Sequence, residues 1–296
     1  MTKRQTIIIL CIISAPVIVG SLLILTSQEE GGAFSLTAQG KKIGLVKIFD
    51  VIYSAENYVK QLEEFRKDNS IAGVILRIDS PGGAVAPSQE IYKEVLQYRE
   101  SHKSLVVSMG NVAASGGYYI ASPASKIFAN PGTITGSIGV IFQFPHYYKL
   151  LDKLGISMTT IKAGKLKDVG NPNRELTEKE RRYLQALIDN THTQFITHVS
   201  EARAMEIDTV RSLADGRIFT GQQALEIGLI DSLGGYSDAL AYLKKSLNLP
   251  EKTKVIEKKR HPGILNNLFA EGILKHIPFI NNSLIPAGTY FLLEHF

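Results

Sequence analysis

The chain alternates short apolar runs with longer segments in which apolar residues recur every three or four positions. The apolar runs predict strands at 42–48, 72–78 and 104–109, and the longer segments predict amphipathic helices at 58–69 and 88–98. Strands that alternate with helices indicate βαβ units. We therefore expect an α/β fold with a mainly parallel sheet.

Two later helices are predicted from their first turns. Thr177 and Glu180 have the spacing of a capping box, in which side chain and backbone satisfy each other at a helix start, and the helix should run to about residue 203. A similar box at 220–223 predicts a short helix that stops near Gly228, since glycine suits the position after a helix. No internal repeat with a period of about 20–50 residues is present.

The first thirty residues contain the longest apolar run, residues 7–25, which carries no charge. As a helix it would rise about 28 Å, close to the roughly 30 Å of a bilayer core. A cleaved signal peptide is the alternative, but such peptides have a shorter apolar region and a cleavage site that is missing here. Lys3 and Arg4 precede the run and Glu29 and Glu30 follow it, which predicts a cytoplasmic N-terminus and an extracytoplasmic main domain.

These patterns divide the chain into five parts. We predict a cytoplasmic N-terminus at 1–6, a transmembrane anchor at 7–26, a linker at 27–41, a catalytic domain at 42–249 and a C-terminal tail at 250–296. Beyond residue 249 repeated prolines break the pattern, so the tail could pack on the domain, lie on the membrane or enter a partner's groove.

Charge and cysteine content narrow the classes of protein to which the chain could belong. The net charge of +5 is concentrated near the ends of the chain, and no nucleic-acid-binding motif accompanies it, so a nucleic acid is not an expected partner. Cys11 is the only cysteine among 296 residues, which excludes an intrachain disulfide and a zinc site built from cysteines.

Candidate chemistry begins at Ser115, which follows a predicted strand, opens a helix and is flanked by alanine and glycine. A serine hydroxyl needs a base within hydrogen-bond reach. A lysine can serve if burial keeps it neutral. Lys162, Lys165 and Lys167 all lie in one segment, and spacing alone does not choose among them.

The segment 79–83, Asp-Ser-Pro-Gly-Gly, could supply the other half of such a site. Its glycines expose backbone N–H groups that can hold an oxyanion. The alternative is a plain tight turn after a strand. A phosphate-binding loop is excluded because no Gly-Lys-Ser/Thr follows.

Histidines offer a rival base. His146, His192 and His198 follow Ser115, as in a serine–aspartate–histidine order. The Gly-x-Ser-x-Gly turn that is typical of that arrangement is missing, because Ala113 occupies the position of its first glycine.

Taken together, the motifs resemble the signal peptide peptidase A family of membrane-anchored serine–lysine peptidases, in its short, unduplicated form. The resemblance covers about residues 43–235. The matching stretches, in the family's order, are 79–83, 113–119 (Ala-Ala-Ser-Gly-Gly-Tyr-Tyr), 135–140 (Thr-Gly-Ser-Ile-Gly-Val), 162–168 (Lys-Ala-Gly-Lys-Leu-Lys-Asp), 216–221 and 228–231.

The resemblance implies a role for each matched residue. Ser115 would be the nucleophile, Lys167 the general base, and Ser137 the second serine that orients the lysine. The oxyanion hole would be formed by Gly82, Gly83 and Gly116.

The resemblance also implies a Clp-protease-like, crotonase-related fold and a ring-shaped homo-oligomer with its catalytic groove between neighbours. The expected substrates are cleaved signal peptides and other short apolar peptides, with no metal or cofactor. Two alternatives stay open: a non-catalytic membrane scaffold of the same fold, and a crotonase-like enzyme acting on acyl-coenzyme A.

Overall fold

A mainly parallel sheet forms the centre of the computed structural model, which describes residues 40–258 and 290–292. Its strands are β1 (Lys42–Phe49), β2 (Ile71–Ser80), β4 (Ser104–Ala114), β5 (Lys126–Ala129), β6 (Ile134–Gly136), β7 (Ile218–Thr220), β8 (Ser232–Leu233) and β9 (Val255–Glu257). The order is β7-β6-β4-β2-β1-β9, and β5 pairs with both β4 and β8. All pairings are parallel except β6 with β7.

Two further strands form a small antiparallel pair, β3 (Gly82–Ala84) with β10 (Tyr290–Leu292). The helices are α1 (Glu56–Lys67), α2 (Val85–Glu100), α3 (Gly116–Ala121), α4 (Tyr148–Lys153), α5 (Glu178–Arg203), α6 (Ile207–Leu213), α7 (Gly221–Glu226) and α8 (Tyr236–Ser246). The predicted α/β architecture with a mainly parallel sheet is therefore confirmed.

The central strands are apolar throughout because both faces of the sheet are covered. Successive residues of a strand point to opposite faces. Leu76 and Val107 accordingly belong to the larger core group, with side chains of α1, α2 and α5, while Ile75 and Val106 pack with α8 on the other face. The result is a three-layer arrangement that holds the carboxyl ends of β2 and β4 side by side.

The two predicted capping boxes are confirmed at Thr177 and Thr220, each with its reciprocal side-chain and backbone bonds. Residues 80–83, which the sequence predicts as a tight turn, include the start of a short strand. After Pro81 the chain forms β3, which pairs with β10, and Ile52 forms a parallel bridge with Gly83 on the other side. This contact joins residues far apart in sequence, so local pattern does not reveal it.

The chain beyond residue 249 contributes to the architecture in two places. β9 pairs with β1 at the edge of the main sheet, and β10 pairs with β3. The predicted anchor at 7–26 lies outside the described residues. Within residues 40–258 and 290–292, no helix is long and apolar enough to span a bilayer.

Candidate active site

Ser115 occupies a tight turn between β4 and α3, with φ +51° and ψ −115°. Positive φ is uncommon for a residue with a side chain and marks backbone strain that the surrounding structure must maintain. The residue is only 1% exposed, and its Oγ is buried without a hydrogen-bond partner in the described part of the chain. Buried hydroxyls normally have a hydrogen-bond partner, so this one differs from an ordinary structural serine.

Ser137 lies directly beside this turn. The Ser115 N–H donates to the carbonyl of Gly136 at 2.8 Å, which joins the ends of β4 and β6. Ser137 also has positive φ, +52°, is 6% exposed, and is held by its own N–H to the Arg217 carbonyl at 2.8 Å. The structure therefore brings together the two serines that the motifs singled out.

The strand β3 turns the N–H of one glycine toward the edge that faces away from Ile52. Gly82 accepts a bond from the Ile52 N–H at 2.9 Å, and the Ala84 N–H donates to the Ile52 carbonyl at 2.7 Å. Backbone groups of successive strand residues point to opposite sides, so the N–H of Gly83 faces away from Ile52, toward the edge where β10 pairs. The Gly82 N–H instead donates to Ser80 Oγ at 3.2 Å.

Gly83 and Gly116 approach each other closely. A Cβ on Gly116 would lie 3.1 Å from the Gly83 nitrogen and 2.8 Å from Ser88 Oγ, and a Cβ on Gly83 would lie 2.2 Å from the Ile52 carbonyl oxygen. Backbone packing therefore requires glycine at position 83, and a side chain at position 116 would crowd Ser88 Oγ and the Gly83 nitrogen. The outward N–H of Gly83 consequently lies next to the residue that follows Ser115.

Lys167 is exposed, and its Nζ has no hydrogen bond or ion pair with the described residues. Because Ser115 Oγ has no partner at all in this part of the chain, Lys167 is not within hydrogen-bond reach of it, and neither are Lys162 and Lys165. Lys167 belongs to an arm, residues 141–176, none of whose residues is buried. The structure thus places the serines together and leaves the lysine at the surface.

An ion-pair network nevertheless fixes the loop next to Lys167. Arg174 bridges Asp168, at 3.0 Å, and Glu180 in the first turn of α5, at 2.6 Å, while Lys162 also pairs with Asp168. Hydrogen bonds from Arg174 are the main reason why the pKa of Asp168 and the pKa of Glu180 are each lowered to about 2. This arginine tether was not found from the sequence, where Asp168 and Arg174 resemble ordinary surface charges.

The rival histidines are placed elsewhere. His198 Nδ1 lies 2.5 Å from the Tyr119 hydroxyl, its ring stacks on Tyr92, and burial lowers its pKa. His192 Nε2 lies 3.3 Å from the Ile138 carbonyl oxygen. None of these rings, nor that of His146, forms a hydrogen bond with Ser115 Oγ, so the histidine hypothesis has no support in this geometry.

Two residues that sequence reasoning left without a role hold the site together. The Asp79 carboxylate accepts from the Val112 N–H at 3.1 Å and from the Asn111 amide at 3.2 Å, fixing the extension of β4 that leads to Ser115. Ser80 Oγ donates to the Asp50 carbonyl at 2.6 Å. Both residues belong to the motif Asp-Ser-Pro-Gly-Gly, which is recognisable in the sequence. Their hydrogen-bond partners, however, lie in distant segments of the chain.

Among the described residues, no group of three or more histidine, cysteine, aspartate or glutamate side chains could hold a metal ion. The chemistry available at the site is that of a hydroxyl on a strained turn beside outward-facing backbone N–H groups. Backbone donors of this kind stabilise the oxyanion that forms when a serine attacks a carbonyl. On a mainly parallel α/β sheet, the arrangement is that of a serine hydrolase with a Clp-protease-like fold.

Comparison with known proteins gives the same answer and makes it more specific. Residues 97–250 match the model of peptidase family S49, and residues 41–133 match that of Clp protease. Because the first match covers more than half of the chain, the protein belongs to peptidase family S49 and is a serine peptidase.

Individual relatives of the chain also carry the names of peptidases. The chain is 43% identical over 222 residues to a putative protease of Synechocystis, covering 74% of this chain and 79% of the relative. It is 35% identical over 264 residues to a putative protease of Methanocaldococcus jannaschii, covering 84% of each. It is also 41% identical over 207 residues to a putative signal peptide peptidase SppA of Enterococcus faecium, covering 70% of this chain and 60% of that one.

Proposed function

We propose that the protein is a membrane-anchored serine endopeptidase in which Ser115 and Lys167 form a catalytic dyad. The observation that carries the proposal is Ser115 itself, which is buried, strained at φ +51° and without a hydrogen-bond partner for its hydroxyl among the described residues. Structural serines at helix starts normally bond to the backbone. A hydroxyl left unpaired at such a position is suited to attack a bound carbonyl.

In the proposed reaction, Ser115 Oγ attacks the scissile carbonyl carbon while neutral Lys167 takes the hydroxyl proton. The lysine returns that proton to the leaving amine, which departs as the peptide C–N bond breaks. Water, activated by the same lysine, then hydrolyses the acyl-enzyme. Ser137, held beside Ser115, orients the lysine nitrogen through its hydroxyl.

We assign the oxyanion hole to the N–H groups of Gly83 and Gly116. The assignment rests on the outward direction of the Gly83 N–H and its closeness to Gly116. Gly82, also expected there from the motifs, has its N–H engaged by Ser80 and so shapes the loop instead. Each such donor contributes on the order of 10²–10³ in rate.

The pairing of β10 with β3 supports an extended mode of substrate binding. Phe291 lies opposite Gly83, and its neighbours lie opposite Gly82 and Ala84. A peptide that adds to this edge as an antiparallel strand would obtain main-chain hydrogen bonds from β3 and lie across Ser115. The apolar sequence Tyr290-Phe291-Leu292 is consistent with short apolar peptides as substrates, and cleaved signal peptides are the natural source at a membrane.

The exposed arm supports assembly into a ring-shaped homo-oligomer. Six large apolar side chains on it are exposed: Tyr147, Leu150, Leu154, Ile156, Met158 and, at 96%, Ile161. Exposed apolar surface of this extent is typical of an interaction site. A neighbouring copy that covers the arm would also remove Lys167 from water, and burial lowers the pKa of a lysine toward the neutral form that the reaction requires.

The cellular location follows from the N-terminal pattern. We propose a single-pass protein of the bacterial cell membrane, with residues 7–26 as the anchor and the peptidase domain on the extracytoplasmic side. The anchor would hold the domain close to cleaved signal peptides that remain in the bilayer. Protease added to intact spheroplasts should digest the domain, and protection from digestion would contradict this orientation.

The deciding experiment incubates the full-length protein in detergent with a synthetic signal peptide and reads the products by mass spectrometry. Wild type should cleave, and Ser115→Ala should not. Ser122→Ala is the matched control, because Ser122 is also buried and its hydroxyl bonds to the Tyr119 carbonyl in helix α3. A fluorophosphonate should label wild type and Ser122→Ala only. A folded wild type that neither cleaves nor labels would support the scaffold alternative.

Mixing two inactive variants tests whether neighbours share the site. Ser115→Ala and Lys167→Ala are denatured together, refolded into mixed oligomers and assayed. If serine and lysine come from different copies, activity returns in the mixture, and if both come from one copy it does not. A monomeric wild type by light scattering would contradict the ring.

A further inference from the structure

A cavity of about 470 Å³ opens beside Ser137, outside the oxyanion region. Its walls are the segment that follows Ser137, one side of helix α5 and the loop at 214–216. The Ser115 N–H bonds to Gly136, the residue before Ser137, so the cavity begins next to the backbone that holds the serine. A side chain of a peptide bound over Ser115 can therefore reach it.

Ser137 connects this cavity to the proposed catalytic groups. The residue is 94% buried and lines the cavity, yet its Oγ forms no hydrogen bond with residues 40–258 or 290–292. In the proposed reaction this hydroxyl orients the Lys167 nitrogen, so the cavity adjoins the reacting groups.

The charge of the cavity comes mainly from Asp189. Its carboxylate accepts from the Gln185 amide at 2.7 Å and forms no ion pair within the described part of the chain. The other acidic residue of the wall, Asp215, is neutralised by Arg217 at 2.5 Å. Asp189, an exposed residue of α5, is thus the acid of the wall that has no cationic partner among the described residues.

The apolar part of the cavity wall is formed by Val140, Ile141 and Ile188. An apolar lining that ends in a carboxylate fits the two parts of a lysine or arginine side chain. The methylene stem packs on apolar surface while the charged head pairs with the acid. A purely apolar substrate side chain would leave Asp189 unused, and an acidic one would be repelled.

We propose that this cavity is a substrate subsite that binds a lysine or arginine side chain close to the scissile bond, with Asp189 as the specificity-determining residue. The inference rests on the proposed peptidase function. It adds that the preferred substrates are apolar peptides that carry a basic residue near the cleaved bond, as at the junction between the basic and apolar parts of a signal peptide.

The test uses the full-length protein in detergent and sets of apolar peptides that differ at one position. Lysine is compared with norleucine, which has the same stem without the ammonium group, at each position on either side of the cleaved bond. At one position, wild type should prefer lysine by about 10-fold in kcat/KM. Asp189→Asn should remove that preference while cleaving the norleucine peptide as well as wild type does.

Glu178→Gln is the matched control, since Glu178 is an exposed acid on the same helix, about 16 Å further along its axis. It should keep the preference for lysine, and Asp189→Lys should instead favour a glutamate peptide. Equal cleavage of lysine and norleucine peptides at every position, or a preference that survives in Asp189→Asn, would overturn the subsite alone. Failure of wild type to cleave any peptide would overturn the proposed function and the subsite with it.

Discussion

The two halves of the proposed dyad lie in regions of opposite physical character. Ser115 and Ser137 are buried, have positive φ and are fixed by backbone bonds at the ends of β4 and β6. Lys167 lies on the exposed arm, where ion pairs rather than a core hold its loop. The serine side is therefore preorganised by the fold, while the lysine side is held only by ion pairs at the surface.

The sharpest way to test this difference is to remove the lysine. Lys167→Ala should lower kcat/KM by about 10²–10⁴, the range for loss of a general base, without changing the melting temperature. Lys165→Ala is the control because Lys165 is exposed on the same loop two residues away. If Lys165→Ala is the inactive variant instead, the base has been assigned to the wrong residue.

On the serine side, Gly83→Ala should damage both structure and activity. The new Cβ would lie 2.2 Å from the Ile52 carbonyl oxygen, so β3 must shift, and overpacking of this kind costs about 1–3 kcal/mol. Moving one oxyanion donor should also lower kcat by about 10²-fold. Thermal unfolding and peptide hydrolysis would be measured beside Gly132→Ala, where the added Cβ has no neighbour within 4 Å. Normal kcat and an unchanged melting temperature in Gly83→Ala would contradict the expected shift of β3.

On the lysine side, Arg174→Gln should loosen the loop without touching the reacting atoms. We expect kcat to fall by about 10-fold, with faster amide hydrogen exchange in the arm and little change in the sheet. Arg181→Gln is the control, since Arg181 is exposed on α5 with only a 3.8 Å pair to Glu178. Equal exchange in both variants would show that the tether does not hold the arm.

The same tether predicts a pH dependence. Because the pKa values of Asp168 and Glu180 are lowered to about 2 by Arg174, their contribution is complete above the ordinary carboxyl pKa of about 4 and is lost as pH falls toward 2. Hydrogen exchange in the arm, compared with Arg174→Gln at each pH, should show protection that disappears across that window. Protection unchanged at pH 2 would argue against these ion pairs.

The smallest expected effect concerns β10, which occupies the edge where substrates are proposed to bind. Deleting residues 290–296 should lower the KM for a peptide by a few-fold and leave kcat unchanged, since a competing strand is removed. Deleting only 293–296 retains β10 and should have no effect. If both deletions leave KM unchanged, the strand does not compete with substrates.

Much of this protein could be predicted from the sequence because the signals are local. Apolar runs that are buried on both faces gave the strands of the parallel sheet, and Thr177 and Thr220 gave two helix starts, since a capping box involves residues only three positions apart. The motifs also singled out the two serines and the glycines of the candidate site.

Only the tertiary structure decided how these pieces are arranged, because the deciding contacts join distant segments. Ile52 turns the Gly83 N–H outward, Asp79 holds the strand that leads to Ser115, and Arg174 ties the lysine loop to α5. The family resemblance singled out Lys167 from the sequence. Only the structure shows that it is exposed, because no residue of the arm is buried. Local pattern determines which elements form, and packing between distant elements determines where their side chains meet.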